Sequence, residues 1–397
     1  MSDILWVTPT YPWPQEPSFG TFYQTQAQAV HRQGVELTVV CPTPWAPWPL
    51  PYASARWRRY ADAPRTDRDG SVPVIRPPYV NVPGEPGWAR PDQRIAGAVW
   101  RARAAWFGAK VIHGHYAITG LAAWRLARRT GLPFVLTFHG SDMNTWPDEH
   151  PDRLPDLRRA LHDASAVFAV SQALADRAAF LTGVETQHLP LGCDHRALAA
   201  GALPRDVART ALDLPNDRII VLFVGHLKRT KGVRELVEAV LEVGDPFMAV
   251  LVGDGPERGY GTSDPLADGH VLYRGALPHD DVTAYMCAAD VLVLPSYGEG
   301  LPTVFVEAGS LRLPVIGSRV GGIPELLEPD RGTILGDIQP ATIGAALRAF
   351  RQDRPAAEAA AERLHDHVLR EYDIDRNAAR LVDTYRRIAP TVGSGRT

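Results

Sequence analysis

Glu299 and Glu307 stand with seven residues between them in YGEGLPTVFVEAGS, the first flanked by glycines and the second inside an apolar run of helical pattern. Gly298, Gly300 and Pro302 shape a tight turn, and the spacing predicts a helix from about residue 303 to 312. The amides from Leu301 to Val304 then collect at the positive end of that helix, where an anion is favoured. Thr303 and Glu307 are four apart and share a face, so a hydroxyl and then a carboxylate lie progressively further along one ligand. A diphosphate at the amides would leave Glu307 to accept hydrogen bonds from ribose hydroxyls and Glu299 to accept them from a transferred sugar. The pattern therefore suits a nucleotide sugar. A solvated surface carboxylate is the ordinary alternative, but Phe305, Val306 and Ala308 surround Glu307 with apolar side chains.

Three further loops follow apolar runs. VGHLKRTKGV (224–233) carries Lys228 and Lys231 in a chain whose only other lysine is Lys110, and Arg229 adds a third cation. A compact ammonium on a flexible stem suits a diphosphate whose charge grows as it leaves. TFHGSD (137–142) ends a strand with His139 next to Gly140, and Asp142 would either orient the imidazole or bind an acceptor. In PSFGTF (17–22), Gly20 lets the backbone approach a ligand, and a helix from Thr21 directs its amides there.

These loops need a scaffold, and the chain alternates strand with helix in two stretches. The first holds ILWVT (4–8), a helix from about 21 to 33, LTVVC (37–41), VPVI (72–75), KVIHG (110–114), PFVLTFHG (133–140) and AVFAVS (166–171). The grammar restarts with RIIVLFVG (218–225), FMAVLVGDG (247–255), HVLYRG (270–275), DVLVLPS (290–296) and PVIGS (314–318). Alternation of this kind predicts parallel, doubly wound α/β sheets. Domains are expected at 1–195 and 196–370, with a C-terminal helix at 371–397 returning to the first and a frayed tail after Pro390. In such sheets ligands gather at the carboxyl ends of the strands, where all four loops lie.

The GEGLPTVFVEA pattern followed by PVIGSRVGGIPE, together with SFGTF, TFHGSD and SQAL, resembles the retaining glycosyltransferases of family 4 over most of the chain. That resemblance implies the GT-B architecture, two Rossmann-like domains facing a central cleft, with the donor held mainly by the C-terminal one. It implies retention at the anomeric carbon, and a place for His139 beside the donor sugar, supporting the developing positive charge. The family's phosphate loop commonly carries an arginine after its first glycine and a lysine before its last. Lys231 matches the lysine, whereas His226 stands at the arginine position, so His226, Lys228 or Arg229 supplies the second cation. The donor base is expected against backbone near Arg274 and Gly275. Catalytic roles fall to His139, Lys231 and Glu299, and donor binding adds Gly20, Gly300, Leu301, Pro302, Thr303 and Glu307.

No cofactor or metal is expected. Asp67/Asp69 sit in a polar loop ahead of a strand, Asp373/Asp375 in a helix break, and Asp280 and Asp281 read as caps of a helix near 280–288. VGDGPERG (252–259) has Pro256 where a dinucleotide fingerprint needs other residues and reads as a turn. The leaving diphosphate must then be met by amides and lysines. A formal charge of −3 argues against nucleic acid. Three scattered cysteines predict a reducing compartment. The start, with its short apolar run before Pro9, is too brief for a signal peptide, so a cytoplasmic enzyme is expected. The resemblance implies a bacterial enzyme of cell-envelope or glycoconjugate biosynthesis, its hydroxyl acceptor a polysaccharide, a lipid-linked saccharide or a small-molecule glycoside. Residues 45–110 hold six tryptophans (45, 48, 57, 88, 100 and 106), with eleven basic and five acidic side chains. Aromatic and cationic groups together suit a membrane surface carrying a lipid-linked acceptor, or equally a sugar-stacking acceptor pocket. A nucleotide-sugar epimerase and a non-catalytic sugar-nucleotide binder are the competing classes.

Overall fold

Short runs such as ILWV (4–7), LTVV (37–40) and FMAVLV (247–252) are apolar or β-branched at nearly every position and are buried along their whole length. That is the signature of parallel strands covered on both faces. The computed structural model describes residues 2–17, 19–81, 90–262 and 269–392, except for the side chain of Asp280. Two compact units result, Met1–Leu191 with Ile374–Thr397, and Gly192–Asp373.

In the first unit eight strands form one sheet in the order Gln187–His188, Ala166–Ala169, Phe134–Phe138, Val111–His115, Ile4–Val7, Leu37–Val40, Val72–Ile75, Thr66–Asp69. Only the last pairs antiparallel. The strand order reverses at Ile4–Val7, which pairs with Val111–His115 on one side and Leu37–Val40 on the other. The helix Ile374–Ile388 buries Ile374, Ala378, Leu381, Val382 and Tyr385 in the same core as Trp6 and Val30. Its start is tied by Asp375 to Arg32 at 2.7 Å.

Six parallel strands form the second sheet, in the order Val271–Gly275, Phe247–Val252, Ile219–Val224, Val291–Leu294, Val315–Ser318, Thr333–Leu335. Its switch lies between Ile219–Val224 and Val291–Leu294. Below the sheet Asp290, 3% exposed, takes Arg209 at 2.6 Å and the Ile220 amide at 2.7 Å. A buried carboxylate of this kind is tolerable only because it is paired and hydrogen-bonded.

Two local expectations need correction. Asp67 and Asp69 lie in the antiparallel strand Thr66–Asp69 rather than in a loop, because the tight turn at Gly70 (φ 58°) folds that segment onto Val72–Ile75. Asp69 there accepts from Tyr11 Oη at 2.7 Å and from Gln24 and Gln28 at 2.9 Å each. The helix expected near 280 begins at His279 with Pro278 at its N-cap position and no side-chain cap, so Asp281 lies in the first turn instead of capping it. The chain's last residues, 393–397, and Trp88 lie outside the described residues. Among the described residues no helix is long and apolar enough to cross a membrane.

Candidate active site

In the second unit the two loops that leave the strands on either side of the switch point, and the loop after Val315–Ser318, are stitched together through their backbones. The Tyr297 amide donates to the Thr230 carbonyl at 2.9 Å, and the Gly322 amide to the Gly300 carbonyl at 2.8 Å. Glycine is required where the strands of chain approach most closely. A Cβ on Gly232 (φ 67°) would lie 2.0 Å from the Pro295 carbonyl oxygen, and one on Gly321 (φ 52°) 2.0 Å from that of Glu299. VGDGPERG is a turn, and it packs on the lysine loop: the Leu227 amide donates to the Asp254 carbonyl at 2.9 Å. Cβ atoms on Gly253 and Gly255 would lie 1.9 and 2.3 Å from the Gly225 and Leu227 carbonyl oxygens. The glycines that mimic a dinucleotide fingerprint thus serve backbone contact.

This stitching fixes the charged groups. Glu299, 9% exposed, accepts from Ser296 Oγ at 2.6 Å and from Lys231 Nζ at 2.5 Å, both at Oε1. An ammonium has three N–H groups, so two remain on Lys231 for other acceptors. Lys228 is half-buried; burial and the neighbouring Lys231 lower its pKa, while Glu299 opposes them. Arg229 is exposed, and its charge acts on Tyr260 and Tyr297. His226 is exposed too, and its carbonyl accepts from the Lys228 amide at 2.9 Å. The cation that shares surroundings with Lys231 and Glu299 is therefore Lys228.

The helix Thr303–Ser310 follows, with Pro302 at its N-cap and no side chain capping it. The first amides, at Thr303 and Val304, have no intrahelical acceptor by helix geometry. Leu301 and Pro302 are buried, which seats the turn. One turn along, Glu307 is half-buried beside Thr303 on the same face, and burial raises its carboxyl pKa against the influence of His279. Arg274 joins none of these groups: near the end of the edge strand Val271–Gly275, its Nη2 donates to the Leu212 carbonyl at 3.0 Å. Periodicity located the strand but carried no information about which neighbour its arginine would meet.

In the first unit the strand Phe134–Phe138 delivers His139, half-buried, at its carboxyl end. Desolvation pulls the His139 imidazole down to about 3, so the ring is neutral at ordinary pH. Its Nε2 lies 3.1 Å from His115 Nδ1. Asp142 corrects an expectation. Its carboxylate is fully buried and accepts the main-chain amides of His139 (2.9 Å) and Gly140 (2.6 Å), so it holds the backbone of the turn. It meets neither the imidazole ring nor solvent where an acceptor could reach it. Burial raises this carboxyl to about 7, against the pull of four main-chain amides. Gly20 is the left-handed N-cap of the helix Thr21–Arg32, and a Cβ there would lie 2.6 Å from Thr10 Oγ1.

The aromatic and basic stretch 45–110 does not form one patch. Trp45 and Trp48 follow the carboxyl end of Leu37–Val40 and are 50% and 82% exposed. Trp100 and Trp106 precede Val111–His115, at the amino end of the strands, where the Thr38 hydroxyl reaches the Ala105 carbonyl. Trp106 is buried, and the Arg129 guanidinium lies 3.7 Å from the Trp100 ring centre. Trp57 is half-buried on the helix Ala55–Asp62.

Residues 20–195 match the family described as Glycosyltransferase Family 4, and residues 218–353 match Glycosyl transferases group 1. A Bacillus subtilis protein assigned to teichuronic acid biosynthesis as glycosyltransferase TuaC is 34% identical over 390 residues, covering 98% of this chain and 99% of the relative. The chain belongs to glycosyltransferase family 4. It is a glycosyltransferase that uses a nucleotide sugar. D-inositol 3-phosphate glycosyltransferase of Corynebacterium kroppenstedtii is 26% identical over 79% of this chain and 75% of its own. Among solved structures, sucrose-phosphate synthase of Thermosynechococcus elongatus superposes with a TM-score of 0.77 at 21% identity, covering 97% and 99% of the two chains. Anabaena HepE in complex with UDP gives 0.74 at 17% identity, covering 98% and 100%. These likenesses establish the GT-B fold.

Ser296, His113, His115, Trp6 and Tyr385 escaped the sequence reading. A signal was present for two of them, because HGH at a strand's end places two histidines on one face.

Proposed function

We propose that this enzyme transfers a sugar, with retention and without a metal, from a nucleoside diphosphate sugar to a hydroxyl on a cell-envelope saccharide. The observation that carries the reading is the stitched pair of loops that sets Lys231, Lys228 and Glu299 beside the uncapped amides of Thr303 and Val304, with Glu307 one turn on. Amides and lysines take the charge of the leaving diphosphate, Glu307 takes ribose hydroxyls, and Glu299 takes hydroxyls of the sugar. Lys228 is the second phosphate cation. His139, a neutral imidazole, belongs with Gly20 to the sugar side. In the transfer the bond from the anomeric carbon to the phosphate oxygen breaks, the bond to the acceptor oxygen forms on the same face, and the acceptor proton passes to the leaving phosphate. The HepE complexes with UDP and UDP-glucose favour a uridine donor, and the TuaC relative favours an envelope polysaccharide.

The test is incubation with a panel of nucleotide sugars in chelator. Slow release of nucleoside diphosphate with water as acceptor, the new anomeric bond keeping the donor's configuration, is the expected result. Conversion to an isomeric nucleotide sugar would make it an epimerase, and saturable binding without turnover would make it a binding protein.

The acceptor side carries a second proposal, contact with the inner face of the cytoplasmic membrane. The helix Ala55–Asp62 buries no residue, exposes Arg56 and Arg58, and follows Trp48 and Tyr52, the latter 77% exposed. Exposed aromatic and cationic side chains of this kind sit at anionic interfaces, each arginine contributing about 1 kcal/mol. Vesicles containing anionic lipid should sediment the protein at low salt, and a W48A/R56A/R58A variant should stay in the supernatant. Equal recovery of both proteins in the supernatant overturns it.

A further inference from the structure

The strand Val111–His115 ends in two histidines on one face, and their rings stack at 4.1 Å with 28° between planes. His115 is fully buried, with the Trp6 ring 4.4 Å away and the edge of Tyr23 at 5.4 Å. The network below it has a fixed direction. Trp6 Nε1 can only donate, and it donates to Tyr385 Oη at 3.0 Å. The Tyr385 hydroxyl then gives its one proton to His113 Nδ1. His113 therefore keeps its own proton on Nε2 and donates to Thr137 Oγ1 at 2.8 Å. The residue after His115, Tyr116, has φ 71°, a conformation that a tyrosine adopts only when its surroundings impose it. Its hydroxyl is tied to Ser141 Oγ at 2.7 Å, two residues beyond His139.

We propose that His115 is a positioning residue for His139, setting both the plane of its ring and the nitrogen that carries its proton. Only one N–H can lie between His115 Nδ1 and His139 Nε2, which are 3.1 Å apart. His115 Nε2 and His139 Nδ1 are both buried without a hydrogen-bond partner among the described residues. Were the shared proton on His139, the second N–H would fall on His115 Nε2, inside a ring with no exposure at all, and orphaned buried N–H groups are rare because they are costly. The proton therefore sits on His115 Nδ1, His139 Nε2 accepts it, and His139 carries its own proton on Nδ1. That N–H then lies on the less buried of the two rings rather than on the one with no exposure. Desolvation keeps all three histidines neutral, which preserves this arrangement across ordinary pH. His113, Trp6 and Tyr385 hold His115, so the helix Ile374–Ile388 supports the site from beneath.

This inference rests on the reading of His139 as a sugar-side group, and the experiment separates the two. Imidazole nitrogen NMR of histidine-labelled protein should show His115 and His139 both protonated at Nδ1, independently of any substrate. With UDP-glucose as probe, His115→Phe should slow UDP release about ten- to a hundredfold, the cost of a misplaced site group, with donor KM moving less than about threefold. His115→Asn places an amide where Nδ1 was and should recover turnover to within about fivefold of the parent. His115→Gln, of similar size, places its amide near Nε2 and should behave like the phenylalanine variant. Wild-type turnover in His115→Phe or His115→Gln, or an Nε2-protonated His139 in the parent spectrum, overturns the proposal. If no nucleotide sugar is turned over by the parent while the spectrum is as described, the donor reading fails and the histidine pairing stands.

Discussion

Glu299→Ala folds, binds donor with little change in KM, and releases nucleoside diphosphate about 10²- to 10³-fold more slowly than the parent, the size of effect seen when one preorganised polar group is removed from a reacting centre. The reason is local. Oε1 of Glu299 is the point where Lys231 and Ser296 meet, so its removal frees the lysine that should face the departing phosphate. Glu307→Ala should differ in kind: it loses a ribose contact present before and during reaction, raising donor KM about tenfold with kcat nearly unchanged. Lys231→Ala should match Glu299→Ala, and the double variant should be little worse than either single one, because the two side chains act as a unit. Multiplicative loss in the double variant, or equal kinetics in Glu299→Ala and the parent, would remove the pair from the mechanism.

The donor site was legible in the sequence to the extent that it is built from local spacing. GEGLPTVFVEA encodes a turn, a helix start and a carboxylate one turn on within nine positions, and backbone geometry carries that pattern into three dimensions with no help from elsewhere. The lysine loop was legible because lysine is rare in this chain. Long-range partners were another matter. Asp142 is three residues from His139 and looked like a partner for its ring, but the turn at Gly140 (φ 148°) aims the main-chain amides at the carboxylate first. The aromatic stretch failed for a related reason. Neighbours in sequence were assumed to be neighbours in space, whereas the helix Pro91–Arg101 carries the chain from the carboxyl end of the strand Val72–Ile75 back to the amino end of Val111–His115. Tyr385, more than 270 residues from His113, had no sequence signal.

The second large effect concerns residues that touch no substrate. Gly232→Ala and Gly321→Ala each place a methyl about 2.0 Å from a carbonyl oxygen of the opposing loop, at φ values of 67° and 52° that an alanine resists. Neither clash falls on a flexible side-chain end, so the backbones must part. The left-handed conformation alone costs about 1–3 kcal/mol, which for a unit of this size lowers the melting temperature by about 2–10 °C. Parting also carries Glu299 away from Lys231, so donor turnover should fall with stability rather than survive it. Gly298→Ala supplies the control: it lies in the same turn, yet a Cβ there meets nothing within 4 Å. It should melt within about 1 °C of the parent and keep its kinetics, since surface changes of this kind cost under about 0.5 kcal/mol. If Gly321→Ala behaved like Gly298→Ala in both melting and turnover, the loops would not be held by these contacts, and the placement of Lys231 against Glu299 would need another cause.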